Sequence, residues 1–263
     1  MAVVPAMVQA ENLSAGYRDA PEVFRGVNLS VHPGDCLVVL GISGCGKSTL
    51  LRTLADLHQP SSGRVVRSYK PHQMSFIPQH TSLFPWFSLE ENVALPLTLQ
   101  GIQKQPRIAA ARQALDSVDL GDFTTRRTSQ LSGGQLQRAA LARALAGQAK
   151  LLLLDEPFSA LDAMTRESLQ DLLASLIQSR NLGCILVTHS IEEAAIMGTQ
   201  IGILTPRGLE ILREPVDPPQ KTTPQVVSRP PRSSALEGRT SPGYFHRCRT
   251  IRTRLEELQC PEA

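Results

Sequence analysis

From residue 8 to residue 40 the chain reads as strands. Val27, Leu29 and Val31 alternate with polar neighbours, Pro33-Gly34-Asp35 supplies a turn, and Cys36 to Leu40 is an unbroken apolar run. A short apolar run between turn residues fits a strand buried on both faces of a mixed or parallel sheet. Gly41 to Gly46 interrupts the pattern, and Lys47 to Leu57 resumes it as a helix. Met74 to Ile77 predicts a further strand, closed by Pro78-Gln79. Residues 88–120 favour helix, with Ile108, Ala111, Leu115 and Val118 at helical spacing, so residues 81–148 are expected to form a mostly helical insertion in an α/β core. Lys150 to Asp155 and Cys184 to Thr188 return to buried strands. Between them Leu169, Leu172, Leu173, Leu176 and Ile177 share one face at i, i+3, i+4, i+7 and i+8, the mark of a helix covering a sheet.

Past Leu212 the pattern fades. Pro215, Pro218, Pro219, Pro224, Pro230, Pro231 and Pro242 predict a poorly structured or extended tail. Its last part is basic, through Arg247, Arg249, Arg252 and Arg254, and Ile251, Leu255 and Leu258 make it a short amphipathic helix candidate. Such a helix either lies on the domain or contacts a partner or anionic lipid.

Composition narrows the class without naming a chemistry. At 263 residues, 41% hydrophobic and 19% charged, the chain has room for one large α/β domain with a small appendage. A net charge of +3 is too weak to argue for nucleic acid as a partner. Met1 to Pro5 lacks a basic segment followed by a long apolar one, so no secretory signal is read there. No apolar run approaches the roughly 18 residues that cross a bilayer. The five cysteines, Cys36, Cys45, Cys184, Cys248 and Cys260, form no CxxC pair and no Cys/His metal spacing, which suits a reducing compartment.

The candidate chemistry starts at the first break in the pattern. Gly41-Ile42-Ser43-Gly44-Cys45-Gly46-Lys47-Ser48, followed by Thr49, matches a phosphate loop at every fixed position, after a buried strand and before a helix. Glycines let backbone N–H groups turn onto phosphates, and the following helix adds its positive end. Lys47 suits the β- and γ-phosphates of a nucleotide, and the Ser48 hydroxyl suits Mg²⁺. Cys45 inside the loop is either a small residue that fits or a site where oxidation blocks binding. The apolar run Leu151 to Leu154 ends in Asp155 and Glu156, which places one carboxylate near the metal and a second where it can serve as general base. Tyr17 stands before the first buried strand, where it either stacks on adenine or is an ordinary tyrosine. Leu131-Ser132-Gly133-Gly134-Gln135 is a second phosphate-binding surface at a helix start. One chain cannot easily fold both surfaces onto one nucleotide, so the working unit is expected to be a pair.

Over about residues 8–212 these motifs resemble, in order, the ATP-binding subunit of an ABC (ATP-binding cassette) transporter. The resemblance implies a P-loop NTPase (RecA-like) α/β core with a mixed sheet, an N-terminal antiparallel β subdomain and an inserted α-helical subdomain over residues 81–148, with residues 213–263 as a tail. It implies ATP and Mg²⁺ as ligands, with Tyr17 as the adenine-stacking aromatic. Gln79, in Phe76-Ile77-Pro78-Gln79, resembles the Q-loop glutamine, a Mg²⁺ contact alongside Ser48 and Asp155. Ser132, Gly133, Gly134 and Gln135 match the signature that completes the opposite chain's ATP site. Asp162, in Ser159-Ala160-Leu161-Asp162, is similar to the D-loop, and His189 falls at the switch histidine beside the general base Glu156. Ser190 and Ile42 depart from the residues many members carry at those positions.

Leu83-Phe84-Pro85-Trp86, Glu90-Glu91-Asn92-Val93 and Ile191-Glu192-Glu193-Ala194 resemble the nitrate, sulfonate and taurine importer group, the taurine type most of all. Implied partners are a separate integral-membrane permease, docked around Gln79 and residues 81–93, a second copy of the chain and, indirectly, a periplasmic solute-binding protein. The implied location is the cytoplasmic face of the inner membrane. The alternatives are a soluble cassette ATPase of translation or DNA repair, a cassette of an export or lipid-trafficking system, and an ordinary P-loop kinase or GTPase. Translation and repair members usually carry two cassettes or a long coiled coil, and a kinase or GTPase predicts no LSGGQ.

Overall fold

The computed structural model describes residues 5–17, 22–80, 82–212 and 239–259. Its strands are β1 (Val8–Gly16), β2 (Glu22–Val31), β3 (Cys36–Leu40), β4 (Ser62–Arg67), β5 (Met74–Ile77), β6 (Leu151–Asp155), β7 (Gly183–Val187), β8 (Gln200–Thr205) and β9 (Gly208–Ile211). A three-stranded antiparallel sheet has the order β2-β1-β4, and a six-stranded mixed sheet has the order β5-β6-β7-β3-β8-β9. β5 runs parallel to β6 with Phe76 opposite Leu153, β3 runs parallel to β8 with Val38 opposite Ile201, and β9 turns back antiparallel on β8. This is the expected α/β architecture. Among the described residues no helix is long and apolar enough to cross a membrane.

The chain divides into two compact units. Among the described residues, one comprises those up to Val8, Ser30–Gly34 and Val66–Leu186; the other comprises those within Gln9–Leu29, Asp35–Val65 and from Val187 onward. In the first, β6 is buried along its whole length, as its unbroken leucines require. Three of its helices, α2 (Leu89–Leu99), α3 (Lys104–Asp116) and α4 (Gly133–Ala146), pack on one another. Small buried residues on α4, including Ala139, Ala140 and Ala142, permit that approach. α2 opens with a capping box. The Ser88 hydroxyl accepts from the Glu91 N–H at 3.2 Å while the Glu91 carboxylate accepts from the Ser88 N–H at 2.8 Å. These bonds to Ser88 hold the Glu91 carboxyl below the usual carboxylate range.

Asn92, one turn into α2, is fully buried. Its side chain accepts from the Phe84 N–H at 2.7 Å and donates to the carbonyls of Phe84 and Ser88, both at 3.0 Å. A buried amide costs free energy unless its donors and acceptor are matched, and here the loop backbone matches them. Phe84, Trp86 and Phe87 are grouped on this loop, and Trp86 is 65% exposed. The fourth helix, α5 (Ala163–Ser179), buries Leu169, Leu173, Leu176 and Ile177 as its spacing predicts. Leu172 differs: it is only half-buried, and Gln170 is buried in addition to the predicted leucines. Helical period gives the direction of the stripe, but the neighbouring elements set its width.

In the second unit, α1 (Lys47–Leu54) stops three residues short of the predicted Leu57. Asp56 turns left-handed at φ 63°, and the Leu57 N–H bonds back to the Arg52 carbonyl at 2.8 Å. This closes the helix end. After α6 (Ile191–Met197) the last helix is α7 (Pro242–Gln259), which packs on α6 and buries Ile251. Arg247 donates to the Gly198 carbonyl at 2.7 Å, and Arg254 grips the Glu210 carboxylate on β9 through two bonds of 2.6 and 2.8 Å. Pro242 therefore opens a helix, where its missing N–H is harmless, and does not mark extended chain. The prolines from Pro215 to Pro231 lie outside the described residues, as does Cys260.

Candidate functional site

In the second unit β3 delivers the chain to Gly41, and the loop reaches α1 at Lys47. Two glycines are needed by the loop's own packing. A Cβ on Gly41 would lie 2.5 Å from Cys45 Sγ and 2.8 Å from the Leu204 carbonyl oxygen; one on Gly46, at φ +99°, would lie 2.6 Å from Val23. Ile42, Ser43 and Gly44 form the exposed rim, whereas Cys45, Lys47 and Thr49 are buried and Ser48 is half-buried. No side chain caps α1, so its first-turn N–H groups keep their affinity for an anion. Lys47 folds back over the loop, its Nζ donating to the carbonyls of Gly41 at 2.8 Å and Ile42 at 3.0 Å. Burial pushes the Cys45 thiol up, against the pull of Lys47. That keeps Cys45 a protonated, unreactive thiol and fits the reading of a small residue that fills the loop.

Tyr17 stands beside this loop. Its hydroxyl shares a 3.1 Å hydrogen bond with Thr49 Oγ1, and half of the residue is exposed. His58 flanks the ring, with centroids 5.1 Å apart and planes tilted by 51°. The His58 Nε2 makes a 2.9 Å bond with the Gly16 carbonyl, which assigns Nε2 as the protonated nitrogen. Sequence reasoning missed His58, because nothing in its neighbourhood links it to a tyrosine 41 positions earlier. In the same unit His189 is exposed just beyond β7. Ser190, noted above as a departure, is the N-cap of α6, its hydroxyl accepting from the Glu193 N–H at 3.1 Å. An Asp would fill the same role.

The first unit carries the carboxylates. Asp155 ends β6 and is buried, and Glu156 follows in a left-handed backbone, φ 47°. A non-glycine residue there is uncommon and marks local strain. Gln79 Nε2 donates to Glu156 Oε2 at 3.3 Å and reaches Ser159 Oγ at 3.5 Å; the Ser159 hydroxyl in turn donates to the Glu156 carbonyl at 3.0 Å. Gln79 and Glu156 thus meet across 77 positions of sequence. Ser159, read from sequence only as the first residue of the segment ending in Asp162, joins them. The hydroxyl of Ser48, the amide of Gln79 and the carboxylate of Asp155 are hard oxygen donors, chemistry that fits Mg²⁺.

The signature residues gather elsewhere in this unit, beside Ala160 to Thr165. Ser132 caps α4, its hydroxyl accepting from the Gln135 N–H at 3.3 Å while the Gln135 side chain accepts from the Ser132 N–H at 2.9 Å. The hydroxyl keeps its own proton to donate. Gly134 is buried, with no room for a methyl beside Thr165; Gly133 is exposed, and a Cβ there would make ordinary contacts, 3.7 Å to Leu161 and 4.0 Å to the Ala160 carbonyl oxygen. Asp162 caps α5 through a 3.0 Å bond from the Thr165 N–H, and its hydrogen bonds with Thr165 lower its carboxyl pKa.

The chain belongs to the ABC transporter family, whose model matches residues 24–159, more than half of its length. It is 42% identical over 215 residues to the taurine import ATP-binding protein of Burkholderia pseudomallei, covering 80% of this chain and 83% of that one. Its identity to the taurine import ATP-binding protein of Escherichia coli O157:H7 is 43% over 205 residues, 76% of this chain and 80% of that one. Among solved structures it is similar to a dimeric ATP-binding cassette in a post-hydrolysis state bound to ADP and Pi. The TM-score is 0.69 at 31% identity, covering 79% of this chain and all of that one.

Proposed function

We propose that this chain is the ATP-hydrolysing subunit of an importer for taurine, with another small sulfonate or nitrate as the neighbouring choice. The observation that carries the hydrolytic part is the Gln79–Glu156 contact at the end of β6. The cargo rests on kinship with the taurine import proteins. Glu156 takes the proton of the attacking water as general base. His189 donates a hydrogen bond to the γ-phosphate and orients that water. Lys47 and the N–H groups of the loop from Gly41 to Thr49 hold the β- and γ-phosphates. Ser48, Gln79 and Asp155 would hold Mg²⁺, which would neutralise phosphate charge. Ser132, Gly133, Gly134 and Gln135 complete the ATP site of a second copy, and Asp162 lies at the same junction. The pair works at the cytoplasmic face of the inner membrane, docked on a permease that a periplasmic solute-binding protein supplies.

Reconstitution with the permease and binding protein tests this reading. ATP hydrolysis is expected to rise when taurine is present on the binding-protein side. Stimulation by an aliphatic sulfonate or nitrate but not by taurine overturns the cargo, and absence of ATP hydrolysis overturns the whole reading.

The adenine platform has its own test. Tyr17→Ala is expected to weaken ADP binding by about 1–3 kcal/mol, the range of base–aromatic stacking, and to leave pyrophosphate binding unchanged. His58→Ala is expected to act in the same direction and more weakly. Titration calorimetry with both ligands decides; equal weakening of ADP and pyrophosphate would remove Tyr17 from the base.

A further inference from the structure

Glu193 is a charged residue that the chemistry above leaves unused, yet it is only 5% exposed. Its Oε2 accepts a 2.5 Å hydrogen bond from the Thr188 hydroxyl. The same hydroxyl oxygen accepts from the Ser190 N–H at 3.1 Å, so one group links a buried carboxylate to the backbone beyond His189. Ser190 closes the circuit by accepting from the Glu193 N–H at 3.1 Å and donating to Glu192 Oε2 at 3.0 Å. On the near side of His189, the Thr188 N–H donates to the Val39 carbonyl at 3.2 Å. Val39 lies on β3, two positions before Gly41. The residues before and after His189 are therefore fixed, and fixed to the strand that carries the phosphate loop, while the histidine itself is exposed.

We propose that Thr188 and Glu193 are positioning residues for His189, and that the buried carboxylate sets where the imidazole is presented. The inference rests on the reading of His189 as a γ-phosphate contact. A buried carboxylate is retained only when its acceptors are matched, and Thr188 provides such a match through an uncharged hydroxyl. Removing either partner takes away the side-chain tie at the turn from Thr188 to Ser190, while the Thr188 N–H bond to Val39 and the Ser190 cap remain. A small misplacement of a reacting group is enough to lower a rate by orders of magnitude.

The test is a double-mutant cycle read by single-turnover ATP hydrolysis, with ADP affinity as the check on folding. Thr188→Val is expected to lower the hydrolysis rate roughly ten- to hundredfold while ADP affinity stays within about twofold of the parent. Thr188→Ser, which keeps the hydroxyl, is expected to recover most of that rate. Glu193→Leu is expected to match Thr188→Val, and Glu193→Gln, which keeps an acceptor oxygen, to fall between it and the parent. In a His189→Ala background, Thr188→Val is expected to add no further loss. A multiplicative loss in that background overturns the inference, and so does a full rate in Thr188→Val or Glu193→Leu. Should Thr188→Val lose ADP binding, the Glu193 pair decides by the same criterion. Full hydrolysis by His189→Ala alone overturns the underlying reading of His189, an outcome distinct from the others.

Discussion

Glu156→Gln is expected to lower ATP turnover by about two to four orders of magnitude, the usual contribution of a general base, while ATP binding and ATP-induced dimerisation survive. Gln is the informative replacement because its amide oxygen can still accept from Gln79 Nε2, so the contact seen at 3.3 Å is kept and only basicity is lost. The left-handed backbone at Glu156, φ 47°, belongs to the Glu156–Ser159 turn, whose Ser159 hydroxyl holds the Glu156 carbonyl at 3.0 Å. The substitution leaves that turn untouched. Phosphate release measures turnover, and gel filtration with and without ATP measures pairing. Undiminished turnover would remove Glu156 from the chemistry; lost pairing with intact folding would give it a role in binding instead.

The second large effect separates two adjacent glycines. Gly133→Ala is expected to fold as well as the parent, since its methyl would meet Leu161 at 3.7 Å and the Ala160 carbonyl oxygen at 4.0 Å, both ordinary contacts, and alanine is favoured in a helix. Its turnover is nevertheless expected to fall at least roughly tenfold, because on the proposed function the methyl stands on the surface that receives a second copy's γ-phosphate. Gly134→Ala should fail differently. Its methyl would lie 2.3 Å from Thr165 Cγ2, so α4 and α5 must separate or Thr165 must move, at about 1–3 kcal/mol of stability. Thermal melting and ATPase activity of the two variants, with ADP binding as a common control, check both halves. Parent-level turnover in Gly133→Ala would sink the phosphate-surface reading of the signature.

That contrast also shows what could be read along the chain and what could not. Both glycines look alike in Leu131 to Gln135, and only the neighbour contributed by α5 tells them apart. Strands β3 and β6 were plain because continuous burial leaves a continuous apolar run, and the phosphate loop was plain because its glycines answer to local geometry. Leu172 is more exposed than its place on the predicted face implies, and Gln170 is buried beside it, because period alone does not show how far a neighbouring element covers a stripe. The end of α1 was misplaced because a left-handed Asp56 stops the helix where the apolar pattern continues to Leu57. Within the candidate site, the motif residues were each found by spacing or resemblance. Their supports have no such role in the sequence reading: Ser159 and Glu193 stand only inside longer matched segments, Thr188 only at a strand end, and His58 nowhere. A support is defined by whom it touches, and those contacts are either long-range or look like ordinary helix starts.

Asn92 has a mechanical consequence. With four hydrogen bonds to the backbone, the fourth to the Phe87 carbonyl at 3.4 Å, it makes the Phe84–Phe87 loop and the first turn of α2 a single stiff piece. A load placed on Trp86 is then not dissipated by bending of the loop. It arrives at α2 as a displacement of the whole helix, and from there passes to α3 and α4, against which α2 is packed.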